Sequence, residues 1–533
     1  VTTISDTRAN ESLKVTGRLH LFKFLGEHRE DVILFVSSLI ATVSCCIYYL
    51  STMMSISEPG LTLDDSWIHV QFARTIFQGT PWEYSPGYPS TGSTSPLWSI
   101  ILSSIFLFTD NQFGIVWATY IISIAFFIGS TFLASRIVTN YTEHIEFGLL
   151  AILAFVIVPR NTWLMLSGME TPLFVFILLL SILILDRDDV KYDLLLGVLA
   201  GLAYLSRPEG IIVLFCIPLR LIILYKHGKF NNTRFGLFII SGVFALLVVS
   251  PWVIHCLTTT GYPLPDTFYA KVHTPSPNDI AAWDAWWGQF LQEMPYLGIG
   301  AILGIILIAK GKPFAWILPV SLTVLYRIST PYAALINNAR YLVPVFDLFL
   351  IVAIVVSALF FKMVALGILV SRNDLSLTVL GTLFLAILIV VPMVPYFALQ
   401  ATNYGTAAGN INDMQVHIGY WLAENTPDDA IFATHDAGAL RFFSNRTMID
   451  LAGLVSPIMI HGNMTDSQKM QYLSNIGCNY FVFFDELFAY WTQFLPYGSY
   501  QKVYTVFLED NVVCGRDTMS VFRIYWELTP FAN

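Results

Sequence analysis

The sequence predicts an α-helical polytopic membrane protein of about eleven spans, carrying an α/β domain at its C-terminal end. Three observations carry that prediction. Hydrophobic residues make up 55% of the chain and charged residues only 12%, a balance outside that of ordinary soluble proteins. Apolar runs recur up to residue 398, most of them near the length that crosses a hydrocarbon core at about 1.5 Å rise per residue. Beyond Gln400 the composition turns acidic and the long apolar runs give way to short alternating segments.

In order, the spans are expected near 32–54, 113–135, 146–164, 171–186, 193–206, 209–225, 235–256, 296–310, 313–327, 341–361 and 376–398. They are too numerous for a cleaved leader, and the polar opening Val1–Arg29 lacks the short basic start of one. The run Pro96–Phe108 is apolar but short, and it ends at Thr109-Asp110-Asn111. It reads as an interfacial or re-entrant helix of the first large loop.

Charge decides that point. With Pro96–Phe108 left out as a span, sixteen Lys and Arg residues fall on one side of the membrane, among them Arg8, Lys14, Arg18, Lys23, Arg29 and Arg372. The other side holds six, Arg74, Arg160, Arg207, Lys271, Arg327 and Arg340, in longer loops. Such a bias marks the first side as cytoplasmic. Counting Pro96–Phe108 as a span reverses every later loop and destroys it. The chain therefore divides into a cytoplasmic segment 1–31, a transmembrane domain 32–398 with a large outer loop 55–112, and an extracytoplasmic domain 399–533.

The outer loops gather the polar residues. The first carries Asp64 and Asp65 directly after the first span, where a carboxylate is costly to desolvate. Acids at that place also suit a helix N-terminus, and both roles can hold at once. Ile68, Phe72 and Ile76 recur at helical spacing, and His69 shares a face with Asp65. The loop runs on through Trp82, Tyr84 and Tyr88 to Thr91-Gly92-Ser93-Thr94-Ser95-Pro96, aromatics and turn residues expected at headgroup level. Later outer turns hold Glu170 at the start of a span, Arg207 and Glu209 two residues apart, Asp266 and Lys271, and Arg340-Tyr341. Each has a plain structural reading: a helix N-terminus for Glu170, a local ion pair for Arg207 and Glu209, and snorkelling to headgroups for Lys271 and Arg340. Together they set acids and cations on one side of an apolar bundle, the set needed to hold a phosphate and deprotonate an acceptor.

The outer segment 400–533 has thirteen acids against six Lys and Arg, most of the net charge of −9. Helices are expected at 411–424 and 437–443, and strands at 430–434, 447–450, 480–484, 502–508 and 520–525. Cys478 and Cys514 are its two cysteines, and a disulfide between them is permitted in an oxidising compartment. Asn445 and Asn463 stand in glycosylation sequons. His435-Asp436 reads either as a strand-end turn or as part of a ligand sensor. No structural zinc spacing, P-loop or dinucleotide fingerprint is present.

The ordered motifs LDDSWIHVQFAR, TGSTSPLW, LSGMETPLF, LSRPEG, LPDTFYAK and NARYLVP, with WLAENTPDDAIFATHDAGAL in the outer domain, resemble the GT-C class of membrane glycosyltransferases. The likeness spans roughly residues 60–455. It is to the broad group containing protein mannosyltransferase-like and lipid A aminoarabinose-transferase-like enzymes, nearest to the mycobacterial terminal arabinofuranosyltransferases. That resemblance implies a GT-C-like fold and transfer of a sugar from a polyprenyl-phosphate donor to a glycan, lipid or protein acceptor at the outer face of the cell membrane. It implies Asp64 or Asp65 as catalytic base, with Asp64 slightly preferred, and Glu170 as a second acid. Arg207, Lys271 and Arg340 would contact the lipid phosphate, and His69, Glu209 and Tyr341 complete the expected substrate site. Two departures stand out: Asp266 where many relatives carry Asn, and Asp-Asp where protein mannosyltransferases carry Asp-Glu. No cofactor is identified by the motifs, no nucleic acid partner is expected, and adjacent acids permit a divalent cation without defining its site. The competing reading is a transporter or flippase of lipid-linked glycans, which needs ionisable groups near mid-membrane; Asp347 is the partial exception to their clustering at loop–span junctions.

Overall fold

The computed structural model describes residues 28–272, 274–368 and 374–532. The basic residues Arg8, Lys14, Arg18, Lys23 and Arg372 lie outside them. Among the described residues, six helices are long and apolar enough to cross a membrane: Arg29–Met54, Gln112–Thr142, Pro208–Lys226, Asn232–Thr260, Ala334–Met363 and Thr378–Asn425. Shorter apolar helices cover Ile145–Ile157, Thr171–Leu185 and Phe314–Ser329, and Lys191–Ser206 is a further helix of the bundle. The protein is thus a multi-pass membrane protein.

Two expected spans are broken. The stretch 146–164 ends as a helix at Ile157 and resumes only as Asn161–Met165. The stretch 296–310 divides into Tyr296–Leu303 and Ile306–Ala309. Helices Lys191–Ser206 and Asn232–Thr260 cross at Gly197 and Gly201, where the Ser241 backbone and the Val248 side chain leave no room for a Cβ. Small residues at that spacing let backbones approach where lipid offers no hydrophobic driving force. The first large loop holds the helix Asp64–Phe77, a hairpin of β1 (Glu83–Ser85) and β2 (Tyr88–Pro89), and the short helix Pro96–Ser103. Two helices lack an apolar run that would reveal them: Pro277–Glu293, capped by Ser276 and Asp279, and Pro331–Ala339.

The last membrane helix continues to Asn425 and delivers the C-terminal domain. Its sheet has the order β4-β3-β5-β7-β6, with β3 (Ile431–Thr434), β4 (Thr447–Asp450), β5 (Cys478–Phe484), β6 (Tyr500–Phe507) and β7 (Thr518–Ile524). Strand β3 pairs parallel with β4 and β5, whereas β7 runs antiparallel to β5 and β6. Side chains alternate between two cores. Ala433, Ile449, Phe481, Phe483 and Phe522 pack with Met470, Leu473 and Phe488 of the domain's own helices. Phe432, Met448, Val482 and Val521 pack instead with Ile68, Phe72 and Tyr84 of the first loop. Ile68 and Phe72 of that loop's apolar stripe thus cover a face of the sheet.

The disulfide allowed by the sequence does not form. Cys478 and Cys514 are both free. Cys478 Sγ donates to the Tyr480 carbonyl oxygen at 3.6 Å, and Cys514 Sγ lies 3.4 Å from Gln415 Oε1. The domain closes on its two apolar cores instead.

Candidate active site

Asp64 and Asp65 are the first two residues of the helix Asp64–Phe77, so both favour its N-terminal dipole. Successive helical residues point about 100° apart, and the two carboxylates diverge. Asp64 Oδ2 and Oδ1 accept the backbone N–H groups of Gly438 and Ala439, each at 2.8 Å. A Cβ at Gly438 would collide with the Asp64 carbonyl oxygen, so this close approach needs glycine. Burial, with Asp436 nearby, holds the Asp64 carboxyl well above the usual range despite those two N–H donors. Asp65 turns toward the bundle. Its Oδ2 is 2.5 Å from Arg340 Nη2 and 3.9 Å from Lys271 Nζ. Burial would raise its pKa, but Arg340 and Lys271 outweigh it and hold the carboxyl below the ordinary range.

One helical turn on, His69 Nε2 lies 3.3 Å from Glu170 Oε2, and its Nδ1 is 3.4 Å from Ser99 Oγ. Glu170 Oε1 receives Arg207 Nη1 at 2.7 Å. The expected local pair of Arg207 and Glu209 exists at 2.6 Å, but it is one arm of a larger network. Tyr326 donates to the same Glu209 oxygen at 2.6 Å, and the Arg207 guanidinium lies 4.3 Å from the centre of the Tyr341 ring. His69, Glu170 and Arg207 are each 2% exposed. Burial opposes ionisation of Glu170, yet Arg207 and His69 prevail and hold it at about 2. Its Oε1 accepts from Arg207 and its Oε2 faces the His69 ring, so Glu170 helps to fix Arg207 in place.

The chain reaches Arg340 through Asn337, Asn338 and Ala339, all left-handed with φ of 53°, 61° and 57°. Asn tolerates that region; for Ala339 it costs about 1–2 kcal/mol. Arg340 is 3% exposed, and its Nε and Nη1 have no hydrogen-bond partner among the described residues. Lys271 Nζ donates to Tyr341 Oη at 3.4 Å. Lys271 and Arg340 therefore meet over Asp65, where the sequence allowed snorkelling to headgroups.

Two adjoining spaces meet here. A cavity of about 360 Å³ has apolar walls from Ile211, Leu264, Phe268, Val272 and Leu325, and Arg207, Glu209, Lys271 and Tyr341 also line it. A narrow cleft beside it is bounded by Asp65, His69, Glu170, Lys271, Arg340 and Tyr341. All the expected site residues except Asp64 thus border one or both spaces. Sequence reasoning missed Thr94, Thr267, Phe268 and Tyr326, which also line them. The first three sit inside quoted motifs; Tyr326 lies within a span and carried no signal. Asp266 binds His461 of the C-terminal domain at 2.9 Å and does not line either space. His435-Asp436 is a strand-end turn: the Asp436 N–H donates to Thr434 Oγ1 at 3.1 Å, and the His435 ring lies against Phe483 and Phe484.

Asp64 is occupied by backbone N–H donors and Asp65 by two cations. Among the described residues no three His, Cys, Asp or Glu side chains gather as metal ligands.

Residues 94–255 match the dolichyl-phosphate-mannose-protein mannosyltransferase family, and residues 409–522 match a domain family of unknown function. No curated protein sequence matches the chain. Among solved structures, ArnT from Cupriavidus metallidurans bound to undecaprenyl phosphate superposes with a TM-score of 0.57 at 14% identity, covering 94% of this chain and 99% of that one. The Archaeoglobus fulgidus oligosaccharyltransferase in its apo form gives 0.57 at 13% identity, over 84% and 70% of the two chains. The same archaeal enzyme, AglB, in complex with an inhibitory peptide and a dolichol-phosphate gives 0.54 at 14%, over 84% and 69%. At such identities the likeness shows the fold: the chain has the GT-C architecture that its motifs resemble.

Proposed function

We propose that this protein is a membrane glycosyltransferase that moves a sugar from a polyprenyl-phosphate donor to an acceptor at the outer face of the cell membrane. One observation carries the reading. An apolar cavity ends at Lys271 and Arg207, beside a cleft where the buried Arg340 keeps two unpaired donors. A lipid phosphate matches that sequence of surfaces: prenyl chain against the apolar wall, phosphate oxygens on guanidinium and ammonium groups. The structures of similar fold include one with undecaprenyl phosphate and one with dolichol-phosphate, which supports the same donor class here.

The base follows from the divergence of the two acids. Asp65 borders the cleft, whereas Asp64 is engaged by Gly438 and Ala439, so the preference moves from Asp64 to Asp65. In the free protein Arg340 and Lys271 hold Asp65 strongly acidic, which makes it a poor base. An arriving donor phosphate draws those cations onto its own oxygens and leaves Asp65 more basic. The acceptor hydroxyl oxygen then attacks the anomeric carbon as its proton passes to Asp65. The bond from that carbon to the phosphate oxygen breaks, and polyprenyl phosphate leaves with its charge on Lys271, Arg340 and Arg207. A single displacement inverts the anomeric centre. Glu170 and Glu209 keep Arg207 oriented.

The flippase alternative would draw on Asp347. That residue is 0% exposed and borders neither space, so nothing links it to a passage. The test is incubation of the purified protein, in lipid nanodiscs, with a panel of prenyl-phosphate sugars. Transfer or slow hydrolysis of at least one donor is expected. Movement of a lipid-linked glycan across a vesicle bilayer, with every donor left intact, would overturn the reading.

A further inference from the structure

A second and larger cavity, of about 630 Å³, is lined by Asn337 and Asn338 of the segment that leads to Arg340. Four aromatic residues stand around it: Trp163, Trp286, Tyr332 and Tyr396. Between them runs a polar network. Arg160 and Glu293 form a buried bidentate pair, with both Glu293 oxygens 2.9 Å from Arg160 Nη2. Arg160 Nη1 also donates to Asn338 Oδ1 at 2.5 Å, and Asn338 Nδ2 donates to Gln400 Oε1 at 3.1 Å. Gln289 Nε2 donates to Glu293 Oε1 at 2.9 Å. Trp163 is 2% exposed, lines the cavity, and has an indole N–H without an acceptor among the described residues.

The chemistry of this surface selects its ligand. Arg160 is neutralised by Glu293, so the network does not call for an anion. Amide side chains present paired donors and acceptors, the match for hydroxyl groups that both donate and accept. Flat aromatic faces offer large apolar contact with a polar edge, suited to the C–H faces of a pyranose or furanose ring. A lipid tail offers no acceptor to the buried Trp163 indole N–H, which is costly. A saccharide satisfies both kinds of surface, and the volume lies in the range of small-ligand sites.

We propose that this cavity binds the saccharide part of the acceptor, holding the sugar units that lie beyond the hydroxyl attacked at Asp65. The inference rests on the glycosyltransferase reading above. Asn338, in the network, is two residues from Arg340, which pairs with Asp65. A sugar that engages Asn338 is therefore coupled through the left-handed segment to the cation of the reaction cleft.

The experiment uses the full chain in nanodiscs and short neutral oligosaccharides cut from mannan, arabinan and galactan, with neutral peptides as the contrasting probe. Tryptophan fluorescence and saturation-transfer NMR read binding, and transfer from prenyl-phosphate sugars is measured in parallel. Saturable binding of at least one oligosaccharide is expected. It should weaken about tenfold or more in Trp286→Ala and Gln289→Ala, both partly exposed and so tolerated by the fold, and persist in Asp65→Asn. Thermal melting of each variant checks its folding. No saturable oligosaccharide binding, binding unchanged in both variants, or a response to peptides alone would overturn the proposal. Saccharide binding without transfer from any donor would overturn the enzymatic reading and leave the cavity assignment standing; transfer without saccharide binding would do the reverse.

Discussion

Replacing Asp65 with Asn separates catalysis from donor binding, and the two should move in opposite directions. The substitution keeps the shape of the side chain but removes the group that takes the acceptor proton. Loss of a positioned general base lowers turnover about 10²- to 10⁴-fold. Donor binding responds to charge instead. Asp65 Oδ2 lies 3.9 Å from Lys271 Nζ, and at that separation an effective dielectric of 20 gives roughly 4 kcal/mol of attraction. The Asp65 side chain is 26% exposed, so solvent reduces the usable part to about 1 kcal/mol. Without Asp65, Lys271 and Arg340 no longer exchange a carboxylate for the incoming phosphate. Polyprenyl phosphate should then bind roughly fivefold more tightly. Calorimetry with polyprenyl phosphate in nanodiscs reads the binding, and single-turnover transfer reads the catalysis. Full activity in Asp65→Asn would refute its role as base. Donor affinity falling in step with activity would refute the exchange of cations between Asp65 and the phosphate.

Glu170→Gln tests the buried network by pH. Glu170 titrates at about 2, below its ordinary 4.5, so its ionised form stabilises the fold above 4.5 and that contribution fades as pH falls through about 2. The variant should melt lower at neutral pH, by about 3 kcal/mol of stability, with the gap narrowing in acid; an equal gap at both would contradict the assignment. Asp64→Asn keeps one oxygen to accept a backbone N–H but turns its NH2 on the other, so it should cost about 1 kcal/mol for one stranded donor. Asp64→Ala, which strands the Gly438 and Ala439 N–H groups, should cost about 1–3 kcal/mol and speed hydrogen exchange at 438–439. Equal losses in the two Asp64 variants would show that the carboxylate charge itself is needed. Reductant should leave the melting temperature unchanged, because Cys478 and Cys514 are free; a downward shift would reveal a bond between them.

Much of the architecture was open to sequence reasoning because a bilayer enforces length and polarity on each span. The run at 32–54 became Arg29–Met54, and 113–135 became Gln112–Thr142. Period-two segments placed β4 at Thr447–Asp450 and β7 within a residue or two of its bounds. Helix Pro277–Glu293 escaped because its tryptophans and acids alternate without a long apolar run. Its Glu293 then supplies half of the buried pair with Arg160, a partner 133 residues away. Tyr326 escaped for the opposite reason: within an apolar helix a tyrosine carries no sign of the Glu209 it meets.

The adjacent aspartates show where the division lies. Sequence by itself determined that two acids stand at one mouth of an apolar bundle, with cations in later loops, because hydropathy and motif order are written along the chain. It could not say which acid faces the reaction. That was decided in three dimensions: Gly438 and Ala439 come from the far end of the chain to take Asp64, while Arg340 and Lys271 come from two other loops to take Asp65. A hydrogen bond or ion pair depends on distances between groups remote in sequence, and only the packed fold sets those distances.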